Sequence, residues 1–511
     1  MANSIASQLY LAKPSVIESA ITLANKISLQ AKKPCNTTLC FAKNITYKIY
    51  KYIKVRGFFM KPVKTPEYFH AWEHYAAELK TEYQQSYEEG LDIEMYKELF
   101  DATIKLADSP YKEKVASVLN ELVNDLPIRK DYEYVEPSSL EGIKAERNLS
   151  LIKKGTASVS LRDKVAGAWY GRICGCLLGK PIECAWTRTI HEILKNGDNF
   201  PMHRYIKSTD LNDEILERSN AKWLGKNKSF IDLVKCAPFD DDTNYTVMAQ
   251  CMLDDYGIDF TPTQVLETWM KYQPKNAYCT AERVAYMNFL KSYLPPYTAI
   301  YKNPYREWIG AQIRGDYYGY VSNDLEKAAE LAWRDASISH IKNGIYGEML
   351  ISSMLAFAKE NENVLDVIYA GLSQIPQSSR LYKQAMELIE DYKSGATQND
   401  AFNKIHSRYN NEIGHDWCHT ISNALIVIAS LLYGEGKFGK SICMAVETGF
   451  DTDCNGATVG SIIGMMYGID NIEKEWLAPI NGMLETQILG HDLVKVDDLV
   501  AKTLEHIEKY N

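Results

Sequence analysis

Two groups of acidic side chains are the residues of this sequence best suited to chemistry. Asp240–Asp242 form a run of three carboxylates before an apolar stretch, and Asp451 and Asp453 precede a glycine-rich stretch. An aspartate at a helix N-terminus caps free backbone N–H groups and suits the helix dipole, but three adjacent carboxylates repel one another without a counter-ion. Carboxylate oxygens are ligands of hard divalent cations. The pattern therefore predicts a site for Mg²⁺ or Mn²⁺ that holds one ion or two.

The elements that must position these carboxylates carry an unusual glycine pattern. Glycines recur every fourth residue in two stretches, at Gly167, Gly171, Gly175 and Gly179 and at Gly456, Gly460, Gly464 and Gly468. This spacing places each set on one helix face, although an interior helical glycine costs about 0.5–1 kcal/mol relative to alanine. Close approach of two backbones is the compensation that such faces permit. Because Arg172 and Lys180 interrupt the first stretch, we predict two glycine-faced helices that cross inside a soluble bundle.

Helical periodicity dominates the chain from about residue 158 onwards. Ser160 and Asp163 form an S-x-x-D capping signal at the start of this region, and residues 325–359 repeat apolar positions at helical spacing. Alternating strand patterns are almost absent. We therefore predict an all-α main domain over residues 158–511.

Two further regions precede this domain. Residues 65–157 are predicted to form an N-terminal helical region and a polar linker, and one helix stripe would join Tyr68, Trp72, Tyr75 and Leu79. Residues 1–64 hold eleven Lys/Arg and one acid, so they carry a charge of +10. A basic amphipathic stretch can bind anionic lipid or nucleic acid, or act as a targeting segment. The interpretation we favour is a solvated helical extension that docks on the acidic remainder of the chain.

Composition excludes several classes of protein. The 511 residues are 46% hydrophobic and 24% charged, which is ordinary for a globular chain. The longest apolar candidate, residues 423–433, is too short to span a bilayer. The N-terminus lacks a signal core and the eleven cysteines are an odd number, so we predict a cytoplasmic protein with reduced thiols. The net charge of −9 argues against nucleic acid as the main ligand.

Four segments together resemble a known family. Residues 167–183 are similar to the first conserved segment of the ADP-ribosylglycohydrolases, and residues 238–246 resemble the T-D-D-T metal motif of that family. Residues 336–340 resemble its central T-H segment, and residues 449–460 resemble its C-terminal G-x-D-x-D-T-x-G motif. The family includes the dinitrogenase reductase-activating glycohydrolase and the ADP-ribosylarginine and ADP-ribosylserine hydrolases. The resemblance covers about residues 160–470.

The resemblance implies an orthogonal all-α bundle with two Mg²⁺ ions in a central cleft. The implied metal ligands are Asp240, Asp241, Asp242, Asp451, Asp453 and Cys454. Glu183 falls where the family has a glutamate near the scissile ribose, and His340 falls where it has a histidine near the substrate. Glu183 or the ligand Asp241 is then the expected proton acceptor, and His340 the expected substrate-binding residue.

The sequence departs from the family pattern at three positions. Asp240 stands where the family usually has a threonine ligand, and an extra carboxylate still suits a hard cation. Cys454 replaces a threonine ligand, although sulfur is a poor partner for Mg²⁺. Cys176 stands where many members have an aspartate. These departures indicate a divergent branch.

Several other groups of residues resemble known motifs and also fit purely structural roles. His415 and His419 would share one helix face, as in H-E-x-x-H zinc motifs, but no third ligand is evident, so we interpret them as a satisfied pair. His70 and His74 have the same spacing, and the early cysteines lack C-x-x-C pairing. Asp240–Asp242 also resemble the aspartate-rich metal motif of prenyl-diphosphate enzymes, but the rest of that motif is missing from the sequence. The aromatic and arginine-rich stretches 303–308 and 314–320 fit an adenine and diphosphate pocket and a buried core equally well.

The sequence thus predicts a metal-dependent hydrolase that cleaves the glycosidic bond of an ADP-ribosyl group. The alternatives are a non-catalytic ADP-ribose-binding or structural protein on the same fold, and a hydrolase of a related N-riboside. Five of the six implied ligand positions keep an oxygen side chain, which favours an enzyme. The modified residue and the oligomeric state stay open.

Overall fold

The computed structural model describes residues 71–153 and 155–511. Contacts divide the chain into Met1–Glu67 and Tyr68–Asn511, and the described residues all belong to the second unit. The predicted basic segment of residues 1–64, together with Tyr68 and His70, lies outside the described residues.

The N-terminal region forms a small helical layer with its own apolar core. Its helices are α1 (Leu79–Glu88), α2 (Lys97–Ile104) and α3 (Pro110–Asn124). Leu79, Ile93 and Phe100 are among its fully buried members. The expectation of one continuous helix stripe is wrong here, because Trp72 and Tyr75 lie in two separate 3₁₀ turns before α1.

The polar stretch after α3 wraps the surface of the main bundle. Its described residues form the short helix α4 (Leu140–Ala145) and a 3₁₀ turn. Its side chains and carbonyls reach the main domain: Trp333 donates its Nε1–H to the Ser138 carbonyl at 2.9 Å, and Arg380 pairs with Glu136 at 2.9 Å. A polar segment without periodicity is thereby ordered by its partners.

The main region is built from helices, which confirms the predicted all-α class. Its first helices are α5 (Leu161–Gly179), α6 (Thr187–Asn196), α7 (Asp213–Arg218), α8 (Asp241–Tyr256), α9 (Pro262–Tyr272), α10 (Thr280–Leu290), α11 (Tyr297–Ile300) and α12 (Asp316–Val321). The remaining helices are α13 (Leu325–Ala336), α14 (Lys342–Ala358), α15 (Val364–Leu372), α16 (Arg380–Lys393), α17 (Gln398–Arg408), α18 (Gly414–Cys418), α19 (Thr420–Tyr433), α20 (Phe438–Glu447), α21 (Thr452–Tyr467), α22 (Lys474–Leu477) and α23 (Val496–Tyr510). Strands β1 (Met483–Glu485) and β2 (Leu493–Lys495) form one antiparallel hairpin.

The two glycine-rich helices cross at backbone contact, as predicted. A Cβ added to Gly460 would lie 2.8 Å from the carbonyl carbon of Gly171, and closer still to its oxygen. Gly167 faces Gly464 in the same way, so α5 and α21 run antiparallel. The C-terminal end of α5 therefore lies beside the N-terminal end of α21, where the second acidic group begins.

Buried helices surround this crossing. Residues 420–432 of α19 are all buried, as the apolar run predicted. The arginine- and aromatic-rich stretches 303–308 and 314–320 are also buried. Arg314 lies among Glu282, Asp335 and Glu348, which favours a core role for the second stretch, whereas Arg306 of the first stretch lines a cavity. Among the described residues, no helix is both long and apolar enough to cross a membrane.

Candidate active site

The first acidic group begins helix α8. Asp240 is the N-cap, and its Oδ1 accepts a hydrogen bond from the Asp242 backbone N–H at 3.0 Å. Gly257 ends the helix with a φ of +76°, a conformation that glycine adopts without strain. The helix therefore begins at the acidic run, and its N-terminus carries all three aspartates.

The second acidic group begins helix α21. Asp451 is the N-cap residue, and its backbone N–H donates to Asn423 Oδ1 at 3.2 Å. Asn423 also accepts from Asn455 Nδ2 at 2.8 Å and donates to the carbonyls of Trp417 and His419. One buried amide of α19 thus fixes the loop that carries Asp451.

The glycine crossing brings the two acidic groups together. A Cβ on Gly179 would collide with the Thr452–Asp453 peptide, so α5 ends against the first residues of α21. Side-chain ligand atoms of Asp242, Asp453 and Cys454 lie within 4.8 Å of one another. The same holds for Cys176, Asp240 and Asp242. Asp242 belongs to both of these three-residue ligand sets.

Arg172 of α5 holds Asp242 in place. Its Nε donates to the Asp242 carbonyl at 2.8 Å, its Nη2 lies 3.2 Å from Asp242 Oδ1, and its Nη1 lies 2.9 Å from Asp316 Oδ2. All three side chains are fully buried. A guanidinium between two buried carboxylates fixes their orientation, because each would otherwise be an uncompensated buried charge.

Two buried oxygens of this centre have no partner. Asp242 Oδ2 and Asp453 Oδ1 make no hydrogen bond, and both residues are at most 2% exposed. A buried polar atom without a partner is costly, and a divalent cation is the kind of partner that satisfies such carboxylate oxygens. The residues present therefore fit the divalent ion that the sequence predicted.

Crowding raises the pKa of most of these carboxyls. The charge of Asp453, followed by burial, raises the pKa of Glu183 well above its ordinary value. Burial and the charge of Asp240 do the same for Asp241 and raise the pKa of Asp453 to about 6. Such shifts are expected of carboxylates packed together without a cation, and a bound cation reverses them.

Glu183 and Asp241 differ from the other acids in their access to solvent. Both are half-buried, whereas Asp240, Asp242 and Asp453 are buried. Glu183 follows the 3₁₀ turn Lys180–Ile182 at the end of α5. The structure therefore places two reachable carboxylates in front of the buried ones.

His340 is buried in the core. Its Nδ1 is 2.8 Å from Ser339 Oγ, and its Nε2 is 3.9 Å from Glu282 Oε1. The residue is 1% exposed and also lines a cavity of about 440 Å³ together with Arg306 and Glu82 of the N-terminal region. Glu282 is in turn an ion-pair partner of Arg314, and substrate binding by His340 stays a prediction.

His415 and His419 do not share a helix face, which corrects the sequence expectation. Helix α18 ends at Cys418, and His419 is the extended N-cap residue of α19. The rings still lie close together, with centroids 5.1 Å apart, and Glu88 of α1 joins them.

Hydrogen bonds to Nδ1 oppose a metal at this histidine pair. The Trp308 indole N–H donates to His415 Nδ1 at 3.1 Å, so the neutral ring carries its proton on Nε2, which lies 3.1 Å from Glu88 Oε2. His419 Nδ1 accepts from the Ile421 backbone N–H at 3.1 Å. A metal-bound histidine normally donates its second ring N–H, which neither ring can do here. The structure therefore favours a pair without a metal, but not a fully satisfied one, because His419 Nε2 makes no hydrogen bond and lies 3.8 Å from Glu307 Oε2.

Sequence reasoning missed three residues that support the centre: Arg172, Lys180 and Asn423. The available signal was chemical, because each is a polar side chain on an otherwise apolar helix or at its end. A buried cation on a glycine-faced helix requires an acidic partner, and this requirement could have linked Arg172 and Lys180 to the aspartates. Which aspartate each one binds could not be read from spacing.

The protein is a helical bundle with a buried carboxylate centre. The centre lies where the acidic N-terminal ends of α8 and α21 meet. The sequence model of the ADP-ribosylglycohydrolase family matches residues 157–506, and the chain belongs to that family. ADP-ribosylhydrolase ARH3 from Bos taurus is 22% identical over 156 residues, which are 29% of this chain and 40% of that protein. The matched part is therefore less than half the length of this relative.

A solved structure is also similar to this chain. It is described as an ADP-ribosylglycohydrolase-related protein complex, and it aligns with a TM-score of 0.41 and 16% sequence identity. The alignment covers 68% of this chain and 98% of that chain.

Proposed function

We propose that this protein is a divalent-metal-dependent hydrolase that cleaves the glycosidic bond of an ADP-ribosyl group. Residues 158–511 would form the catalytic domain, preceded by the helical region and linker of residues 65–157. The observation that carries the proposal is the pair of buried, partnerless oxygens on Asp242 and Asp453 behind the half-buried Glu183 and Asp241. Membership of the family supports the reaction class.

The proposed ion is Mg²⁺, and Mn²⁺ is the alternative. Its ligands would come from the set that the family resemblance implies: Asp240, Asp241, Asp242, Asp451, Asp453 and Cys454. Oxygen ligands favour hard ions, and the Cys454 sulfur is the weakest member for Mg²⁺. When bound, such an ion supplies positive charge that polarises oxygens and orients water.

The chain's own residues would divide the remaining work. Glu183 or Asp241 would accept the proton of the attacking water, since both can be reached from solvent and a carboxylate is a suitable general base. Arg172 would keep Asp242 oriented through two hydrogen bonds to that residue. Asn423 would keep the Asp451 loop in place, so that the two helix termini stay in register.

The decisive experiment uses a panel of ADP-ribosylated peptides that differ only in the linkage to ADP-ribose. The full chain is incubated with each peptide and Mg²⁺, and released ADP-ribose is measured. We expect release from at least one linkage, loss of release with a chelator, and a fall of at least about 100-fold for Glu183→Gln, the size typical of general-base removal. Glu217→Gln is the matched control, because Glu217 lies in an exposed ion pair.

Two outcomes would replace this proposal. Tight binding of ADP-ribose with no turnover of any linkage would favour a binding or structural protein. Turnover of a free N-riboside but of no conjugate would favour the related hydrolase. Undiminished activity of Glu183→Gln would remove this glutamate from the chemistry while leaving the reaction class intact.

A further inference from the structure

Lys180 is a cation placed inside the acidic centre. It directly follows Gly179, where the backbone of α5 presses against the Thr452–Asp453 peptide. Its carbonyl accepts a hydrogen bond from Asn227 Nδ2 at 3.1 Å, which fixes the backbone at this point. The side chain therefore begins between the two acidic groups.

The Lys180 ammonium makes a close ion pair with Asp240 Oδ2. The other oxygen of Asp240 caps α8 through the Asp242 N–H, so both oxygens of Asp240 are already engaged. The Asp240 side chain is 2% exposed, whereas that of Lys180 is 19% exposed.

The two overlapping ligand groups are therefore not equivalent. In the group of Asp242, Asp453 and Cys454, two carboxylate oxygens lack any partner. In the group of Cys176, Asp240 and Asp242, the ammonium already neutralises Asp240, and the third member is a thiol, a poor ligand for a hard cation. Only the first group offers free oxygens from two residues.

We infer that Lys180 takes the place of a divalent ion at the group of Cys176, Asp240 and Asp242. Asp240 is then a positioning residue that caps α8 and holds Lys180, and it does not bind metal. The divalent ion binds at the group of Asp242, Asp453 and Cys454. This inference rests on the proposed metal dependence and changes one member of its ligand set.

The first test asks whether Asp240 is a ligand. Asp240→Asn keeps a good N-cap and leaves Lys180 able to reach solvent. Mn²⁺ binding to the full chain is followed by titration with electron paramagnetic resonance. We expect the number of bound ions to be unchanged and the affinity to stay within about threefold, whereas Asp242→Asn should lose at least the 10–100-fold typical of even outer-shell changes. An equal loss in both variants would overturn the inference.

The second test removes the ammonium. Lys180→Met frees Asp240 Oδ2, so this variant should bind one Mn²⁺ more than the wild type, while Lys180→Arg should keep the wild-type number. With Co²⁺, the additional ion should add a thiolate charge-transfer band that Cys176→Ser removes in the Lys180→Met background. An unchanged ion count in folded Lys180→Met would overturn the inference. Circular dichroism establishes folding, and the Asp240→Asn titration decides the matter if Lys180→Met does not fold.

These tests are separate from the test of the reaction. If the wild type binds Mn²⁺ but releases no ADP-ribose from any linkage, the proposed function fails and the role of Lys180 is unaffected. If ADP-ribose is released but Asp240→Asn loses its ion, the role of Lys180 fails and the function stands. A wild type that binds no divalent ion would overturn both the metal dependence and this inference.

Discussion

Substitution of Gly460 by alanine should destabilise the protein, although alanine is the better helix former. On an ordinary helix surface the change would stabilise by about 0.5–1 kcal/mol. At the crossing of α5 and α21, however, the new Cβ would lie 2.8 Å from the Gly171 carbonyl carbon, where carbon atoms prefer about 3.5–4.0 Å. The obstructing atoms are backbone atoms, so the two helices must separate by about 1 Å to restore ordinary contact distances.

The expected size follows from the two opposing effects. Inserting a methyl group into a packed core costs about 1–3 kcal/mol, and the gain in helix propensity offsets about 0.5–1 kcal/mol of this. Gly167 and Gly464 are also in backbone contact, so separating the helices at Gly460 disturbs that contact too. The cost of the inserted methyl group should therefore lie in the upper part of the range of about 1–3 kcal/mol. We expect a net loss of roughly 1–2 kcal/mol, and of several kcal/mol for Gly460→Leu.

Denaturant unfolding followed by circular dichroism measures this loss against a matched control. Gly414 begins the short helix α18, is exposed, and has no atom within 4 Å of an added Cβ. Gly414→Ala should therefore leave the free energy of unfolding unchanged or raise it by up to about 1 kcal/mol. A gain in stability for Gly460→Ala similar to that of Gly414→Ala would refute the argument from backbone contact.

Two further predictions concern the carboxylate centre. Mg²⁺ should raise the melting temperature relative to chelator, since an ion at about 100 times its Kd adds about 2.7 kcal/mol. The pKa of Asp453 is raised from 3.8 to about 6 in the folded, ion-free protein. The ion-free protein should therefore become more stable as the pH falls from about 6 to 3.8, because the folded state binds the proton more tightly than the unfolded state. The same protonation weakens ion binding. The Mg²⁺ effect, measured by calorimetry, should therefore shrink between about pH 8 and pH 5, and a constant effect would contradict this. Cys454→Thr should keep ADP-ribose release with Mg²⁺, because an oxygen suits that ion at least as well as sulfur; loss of all release in a folded variant would assign the thiol an unforeseen role.

Local rules account for the features of the site that could be predicted. Ser160 and Asp240 lie where the sequence predicts helix starts, because capping depends on a few adjacent residues, and the structure has helices beginning directly after each. The second acidic group is predicted to precede its helix, but α21 begins within that group, at Thr452. The glycine spacing predicted a backbone crossing because a period of four selects one helix face. Sequence alone thus determined where α5 and α8 begin and which faces of α5 and α21 meet.

Tertiary structure alone decided how the polar side chains pair. Arg172 lies on Asp242 and Asp316, and Lys180 lies on Asp240, although spacing offered several acidic partners for each. The motif predicts that His340 binds the substrate, and only the structure shows that its ring lies beside Ser339 and Glu282. Such pairings join residues far apart in the chain. A shift of a helix by the length of one hydrogen bond is enough to change which side chains pair. Periodicity specifies the face of a helix, but the depth and rotation at which helices pack determine which buried charge meets which.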